Sequence, residues 1–467
     1  MMHPILLVKP RQTPVLDQEF RPAVLGNHAF LNVVRSSRKS VPLVIALERS
    51  GGAIWVHRTE VFSPEAELAP ANLPFAERLI KMLLWQIGGF RIVVGGPKEI
   101  GEYIKKQYGK GGPLAFDAQL MSDVYDRPFV VEVTDPDKVP APHEPRQNPR
   151  GRHLNGCRIG FDAGASDHKV AAVVDGNVVF SEETPWSPSK QIDPGYHYEA
   201  IAGAFRRAAS HMKKVDGIGV SAAGVYVDNQ VKVASLFRAV PRDVFKAKVS
   251  GLFLDIQKEF GGVPLDVAND GEVAALAGSM SLGDTMVLGV ALGSSEAGGY
   301  VTAEGNITSW LNELAFPPVD FNPNGPVDEW SGDRGCGGEY FSQKAVIRLA
   351  PKAGISLDST QTPAQQLASV QALLSGGDGR ARQIFQTLGV YMGYGIAHYA
   401  DFYDLKHIML MGRVVSGEGG NIILQGAQGV LSGEFPGVAD KVAIHLPDES
   451  SRRVGQAVAA ASLPWLP

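Results

Sequence analysis

A chain of 467 residues with 44% hydrophobic and 20% charged residues is too long for one hydrophobic core and too apolar for disorder, so two or three folded domains are expected. Its formal charge of -5, with no Lys/Arg block longer than a pair, gives no broad positive field and argues against nucleic acid as a partner. Cys157 and Cys336 are too few for a disulfide framework, no run of about 18 apolar residues offers a membrane span, and the start Met-Met-His-Pro lacks a signal peptide's apolar stretch of about 7 to 15 residues; a cytoplasmic protein without membrane contact is expected.

Residues 1–40, with Pro4, Pro10, Pro14 and Pro22, read as an extended arm that gains order only by lying on something. Residues 41–135 read as a small α/β module. Val41 to Leu47 and Ala53 to Phe62 are strands around the Gly51-Gly52 turn, Leu73 to Ile87 has helical spacing, Phe90 to Val94 is a strand, Pro97 to Tyr108 a helix and Phe129 to Val133 a strand. A packing or dimerisation role is favoured for it over a second ligand site. Five prolines between Asp135 and Gly151 make residues 136–154 a stiff linker and a domain boundary.

Beyond the linker the pattern predicts strands at 157–163, 168–175 and 177–182, a helix at 196–213, a strand at 216–221, a helix at 242–259, a strand at 264–268, a helix at 270–281 and two strands within 285–301. Helical stretches at 337–349, 362–374 and 378–403 precede a strand at 407–411 and a last helix near 451–462. Alternation with two strand clusters implies two sheets flanked by helices, with a cleft between lobes.

The run from Ile159 to Gly176, with Asp162, Gly164, Ala165, Ser166 and Lys169, reads as a strand, a small-residue turn bearing one carboxylate, and a returning strand. Small residues let backbone N–H groups approach phosphate oxygens, and a carboxylate at a strand end can hold the water shell of Mg²⁺. An ordinary hairpin turn is the competing reading. Further segments follow in order: Gly219-Val-Ser-Ala-Ala-Gly224-Val-Tyr-Val-Asp228, Asn269-Asp270-Gly-Glu272-Val-Ala-Ala275, Gly293-Ser294-Ser295-Glu-Ala-Gly298-Gly299, Asn312-Glu313-Leu-Ala-Phe316, Gly332-Asp-Arg-Gly335-Cys336-Gly-Gly-Glu339-Tyr, and Met411-Gly412-Arg413. Over residues 155–467 this series resembles the ROK sugar kinases of the actin-like ATPase superfamily.

The resemblance implies an α/β fold of two RNase H-like lobes around a cleft, residues 155–270 and 271–467, with the last helix returning toward the first lobe and the N-terminal module added. Entry of the linker at the first lobe predicts that the module rides on that lobe or bridges to a partner subunit. The implied activity is ATP-dependent phosphorylation of a sugar or sugar-like polyol, in a homodimer. Asp270 is then the general base, although an Asp at a helix start is also an ordinary cap. Asn269, Glu313 and Glu339 would bind sugar hydroxyls; Gly164, Ala165, Ser166, Gly293, Ser294, Ser295 and Gly412 would hold ATP, and Asp162 would hold Mg²⁺ through water. Lys169 is placed to reach a phosphate or to stand as a solvated strand lysine.

The sequence also departs from the ROK pattern. Phe316 stands at the position of a His that binds zinc and sugar, Glu329 and Ser331 stand where two zinc cysteines belong, and Cys336 alone cannot make a tetrahedral site, so no zinc is expected. Trp310, Phe316 and Trp330 suit either a sugar face or core filling. Met411 and Arg413 replace adenosine-site glycines. Some ROK proteins are repressors with a winged helix-turn-helix; Gly26 to Arg35 could form a first helix, but strands follow where a recognition helix would be needed. The alternative to a kinase is a catalytically weak sugar-binding or regulatory protein on the same fold.

Overall fold

The structure, a computed structural model, describes residues 2–145, 148–447 and 452–467, the side chains of 452–454 excepted. The chain forms two compact units. Unit 1 comprises Met1–Arg146, Val290–Ala297 and Trp310–Leu446; unit 2 comprises Gln147–Gly289, Gly298–Ser309 and Pro447–Pro467.

The N-terminal part of unit 1 is built on strands β1 (Ser40–Glu48), β2 (Ile54–Phe62), β3 (Arg91–Gly95) and β4 (Val130–Thr134), in the order β2-β1-β3-β4. Strand β1 is buried from Leu43 to Leu47 because both faces are covered: Leu43, Ile45 and Leu47 enter one core, and Val44 and Ala46 another. Helices Asn72–Ile87, Lys98–Tyr108 and Ala115–Tyr125 pack with this sheet, the last an addition to the expected β-β-α-β-α-β order. The extended arm is corrected: the helix offered by Gly26 to Arg35 forms, over Ala23–Ser36, and its Phe30 and Val34 join the same core as Leu43 and Phe75. Its four prolines all precede that helix, Pro22 immediately so.

That core also takes in Phe321, with Trp310, Leu311, Phe316 and Phe402 packed against it, so the module is part of unit 1 rather than a rider on the first lobe. Backbone bonds reinforce the join, with Ala23 N–H donating to Val319 O at 2.9 Å and Phe321 N–H to Arg21 O at 2.8 Å.

Unit 2 contains β5 (Cys157–Ala163), β6 (Asp167–Val174), β7 (Asn177–Pro185), β8 (Gly217–Ala222), the short pair β9 (Val225–Val227) and β10 (Gln230–Val233), and β11 (Leu265–Asn269). The main sheet runs β11-β8-β5-β6-β7, with β5, β8 and β11 parallel and β6 and β7 antiparallel. Ile159, Phe161 and Val220 meet Ile201 and Phe205 of helix Pro194–Ala209 in one core, and Ala171 and Val173 meet Ala457 and Ala461 of helix Arg452–Ala461 in another. That last helix lies so close that a Cβ on Gly160 or Gly219 would stand 1.8 or 1.7 Å from the carbonyl oxygens of Ala457 and Ala460. Buried Arg158 fastens its end by donating to Pro464 O at 2.7 Å. Helix Asp270–Leu282 belongs to this unit, which moves the expected lobe boundary from residue 271 to about residue 290.

A further sheet, β13-β12-β14-β15, consists of β12 (Val287–Leu292), β13 (Glu296–Val301), β14 (His407–Met411) and β15 (Ala443–His445). Helices Gln343–Leu349, Pro363–Ser375, Gly379–Ala400 and Glu418–Glu434 complete unit 1. The last of these is absent from the sequence reading because Gly419, Gly420, Gly426, Gly429 and Gly433 mask it with poor helix formers.

Candidate active site

In unit 2, Asp162 is the penultimate residue of β5, opposite Ser221 of β8 on one side and Lys169 of β6 on the other. Ser221 Oγ donates to Asp162 Oδ1 at 2.8 Å, and Gln456 Nε2 donates to Ser221 Oγ at 3.1 Å and to the Asp270 carbonyl at 3.2 Å. One small network thus links the carboxylate proposed for the metal to the residue proposed as base. Burial pushes Asp162 up to about 6 against the lowering bond from Ser221, and the nearby charge of Asp270 adds to the rise. A buried carboxylate at a strand end, whose neighbouring Lys169 is paired with Asp167, suits a hydrated divalent cation, so Asp162 fits Mg²⁺. Among the described residues no group of three or more His, Cys, Asp or Glu could hold a metal ion, so any such site would rest on water and phosphate for its other ligands.

Asp270 is the first residue of its helix, placed there by the end of β11. The residue is half-buried; its Oδ1 accepts from Gly271 N–H at 3.0 Å, and burial raises its pKa. Asn269 is the helix cap. Its Oδ1 accepts from Gly271 N–H at 2.7 Å and its Nδ2 donates to Gly224 O at 2.8 Å, so both ends of the amide are engaged within the protein.

The turn Gly164-Ala165-Ser166 leaves Ala165 and Ser166 exposed. Trp186 braces it by donating Nε1–H to Gly164 O at 2.7 Å and its backbone N–H to Ser166 O at 3.0 Å. Lys169 is committed to Asp167, with Nζ 3.1 Å from Oδ1.

In unit 1, Gly293, Ser294 and Ser295 form the turn between β12 and β13; Gly293 N–H donates to Ser295 O at 3.0 Å and both serines are exposed. Gly412 follows β14 at φ +95°, where a Cβ would sit 2.4 Å from Leu292 O, so only glycine lets this strand end lie against the base of the turn. Arg413 beside it is exposed. Glu339 is buried and accepts from Lys344 Nζ at 2.9 Å. Glu313 is half-buried, with its N–H donating to Trp85 O at 3.1 Å.

Comparison with solved structures bears on the fold. A ROK hexokinase from Thermus thermophilus aligns with a TM-score of 0.51 at 19% identity, over 66% of this chain and 97% of that one. The chain has the fold of the ROK sugar kinases. A ROK glucokinase from Streptomyces griseus in complex with glucose and AMPPNP aligns at TM-score 0.48 and 20% identity, over 66% of this chain and 98% of that one. A ROK transcriptional regulator, homologous to the E. coli MLC protein, aligns at 0.49 and 18%, over 66% of this chain and 79% of its own. No family model and no curated protein matches the sequence.

At the positions where the ROK pattern has zinc ligands, this chain builds other contacts. Phe316 stacks on Trp85 at 4.1 Å between centroids, so it fills the core with the N-terminal module. Glu329 faces Lys344 at 3.3 Å, Ser331 Oγ donates to Asp328 at 2.7 Å, and Cys336 is a buried thiol pushed up to about 12 by burial. Trp330 is 69% exposed and Trp310 packs near the module's core.

Proposed function

We propose that the protein transfers the γ-phosphoryl group of ATP to a hydroxyl of a sugar or sugar-like polyol. The observation that carries the reading is the network Gln456–Ser221–Asp162, which reaches the Asp270 backbone carbonyl and links the ends of β5 and β11, the parallel strands on either side of β8 that lead to the two burial-raised carboxyl groups. Ligands of open α/β sheets bind outside such carboxyl ends. The Thermus hexokinase likeness supports the reading through the fold.

Asp270 accepts the proton of the substrate hydroxyl as its oxygen bonds to the γ-phosphorus and the bond to the β-phosphate oxygen breaks, releasing ADP. Amides and hydroxyls of Gly164–Ser166 in unit 2 and of Gly293–Ser295 in unit 1 are the donors for phosphate oxygens, and Asp162 would hold Mg²⁺ through water. Bound Mg²⁺ offsets phosphate charge. Glu313 and Glu339 accept from substrate hydroxyls, with Lys344 fixing the Glu339 carboxylate; Asn269 acts chiefly by capping the helix that presents Asp270.

The second reading, a weakly catalytic sugar-binding protein, draws on Met411 and exposed Arg413 at the adenosine segment. Assay of ADP release with Mg-ATP across a sugar and polyol panel separates the two. Release stimulated by at least one compound supports the kinase; binding of a sugar without ADP release supports the second reading.

A further inference from the structure

Helix Asn72–Ile87 of the N-terminal module ends against the segment that carries Glu313. The last carbonyls of an α-helix lack partners within the helix. Here the carbonyls of Trp85, Gln86 and Ile87 accept from the N–H groups of Glu313, Asn312 and Leu311 at 3.1, 2.9 and 3.3 Å. The amides of three consecutive residues are thus fixed by one helix end. Asn312 sits in the left-handed region at φ +50°, buried, with its Oδ1 accepting from Tyr403 at 2.9 Å. A conformation of that kind persists where its surroundings over-determine it.

The same helix reaches the far end of the loop. Arg78, Lys81 and Trp85 are spaced to share one helix face. Trp85, fully buried, stacks on Phe316 with rings 21° apart. Lys81, also fully buried, places Nζ 2.7 Å from Asp333 and 3.3 Å from Asp117, while Arg78 donates to the same Asp333 oxygen at 2.8 Å. Asp333 lies three residues before Cys336 and six before Glu339. One helix therefore holds the Glu313 end of residues 311–339 through its last carbonyls and, through Asp333, the run that leads to Glu339.

We propose that helix Asn72–Ile87 is a positioning element of the polyol site, with Trp85 and Lys81 as positioning residues that set Glu313 and Glu339 for substrate hydroxyls. The module is then part of substrate recognition and not an appended packing domain. This inference rests on the sugar-site reading above, and its test has one arm that does not depend on it.

In that arm, hydrogen exchange is followed at the amides of residues 311–316 and 333–339 in full-length wild type, Trp85→Ala, Lys81→Met and the conservative Trp85→Phe. Exchange about tenfold faster or more in the first two variants, local to these segments and restored in Trp85→Phe, is expected for a local opening. In the second arm, KM for the best polyol found in the panel rises about tenfold or more in Trp85→Ala, while KM for ATP and kcat stay within about twofold, and Trp85→Phe recovers the wild-type value. Unchanged exchange at both segments overturns the inference, as does a parallel rise in both KM values. If the exchange arm succeeds while wild type neither binds nor phosphorylates any polyol, the positioning of the loop stands and the sugar-site reading falls.

Discussion

Asp270 combines two roles that are hard to separate by sequence alone, since an acid at a helix start both complements the helix dipole and can serve as a base. Substitution distinguishes them. Asp270→Asn keeps a good helix-start residue and removes the proton acceptor, so turnover is expected to fall on the order of 10²-fold or more with sugar affinity and melting temperature close to wild type. Equal turnover in the two proteins, measured by ADP release, would take Asp270 out of that role. Asp333 makes a different prediction. Burial would raise its pKa, but Arg78 and Lys81 outweigh burial and hold it well below the ordinary carboxylate range. Its contribution is therefore complete above an unfolded value of about 3.9 and is lost as pH falls toward the depressed native value. Asp333→Asn leaves two buried cations short of their shared counter-charge, a change expected to cost about 3 to 5 kcal/mol. Thermal melts should show the gap between variant and wild type constant above about pH 5 and narrowing below about pH 4; a gap that widens in acid would contradict the assignment. Residues such as Ser221, Gln456, Trp186 and Lys344 carried no local signal of their roles, because each acts on a candidate residue brought near only by the fold. Gln456 is the extreme case, separated from Ser221 by 235 positions.

At the level of elements, what the sequence made legible depended on how strongly each segment's own residues announced it. β5 and β6, helix Asp270–Leu282 and strand His407–Met411 fall close to their expected spans because apolar runs are bounded there by turns or caps. The glycines of helix Glu418–Glu434 mask it, helix Ala115–Tyr125 has little amphipathic periodicity, and the prolines before Ala23 leave only Gly26 to Arg35 of helix Ala23–Ser36 legible. In the Gly-rich helix, burial against neighbours stabilises a helix that propensity alone does not favour, a tertiary effect that a local reading cannot weigh. The docking of helix Arg452–Ala461 on the unit 2 sheet depends in the same way on two glycines far away in sequence. Gly219→Val would drive a side chain into the Ala460 carbonyl, so the helix must lift or the strand must shift. Overpacking of that kind costs about 1 to 3 kcal/mol, and calorimetry should register a lower melting temperature. Because Gln456 rides on this helix, the variant should also lose turnover beyond what its stability explains. A wild-type melting temperature with wild-type turnover would show that the close approach is not needed.

Across the whole molecule, the N-terminal module is distinguished from the rest by sequence pattern but not by its core. The proline-rich stretch after Asp135 suggested a separable domain, yet Phe30, Phe62, Phe75 and Trp85 share one apolar cluster with Phe321, and Phe316 and Phe402 pack against it. The N-terminal segment extends the join: Gln12 N–H donates to Glu434 at 3.0 Å, Tyr391 bonds Asp17, and His28 Nε2 lies 2.8 Å from Asp401. A domain tethered only by its linker would separate once the linker is cut, whereas a body that shares a buried core stays until that core unfolds. A protease site inserted after Pro142 tests the difference. After complete cleavage under native conditions, the fragment ending there is expected to co-elute with the remainder in size-exclusion chromatography and to part from it only in denaturant, in the same transition that unfolds unit 1. Separation of the fragments in plain buffer would mean that the cluster around Phe321 does not hold the module, and would remove the physical basis for giving helix Asn72–Ile87 any part in shaping the substrate segment.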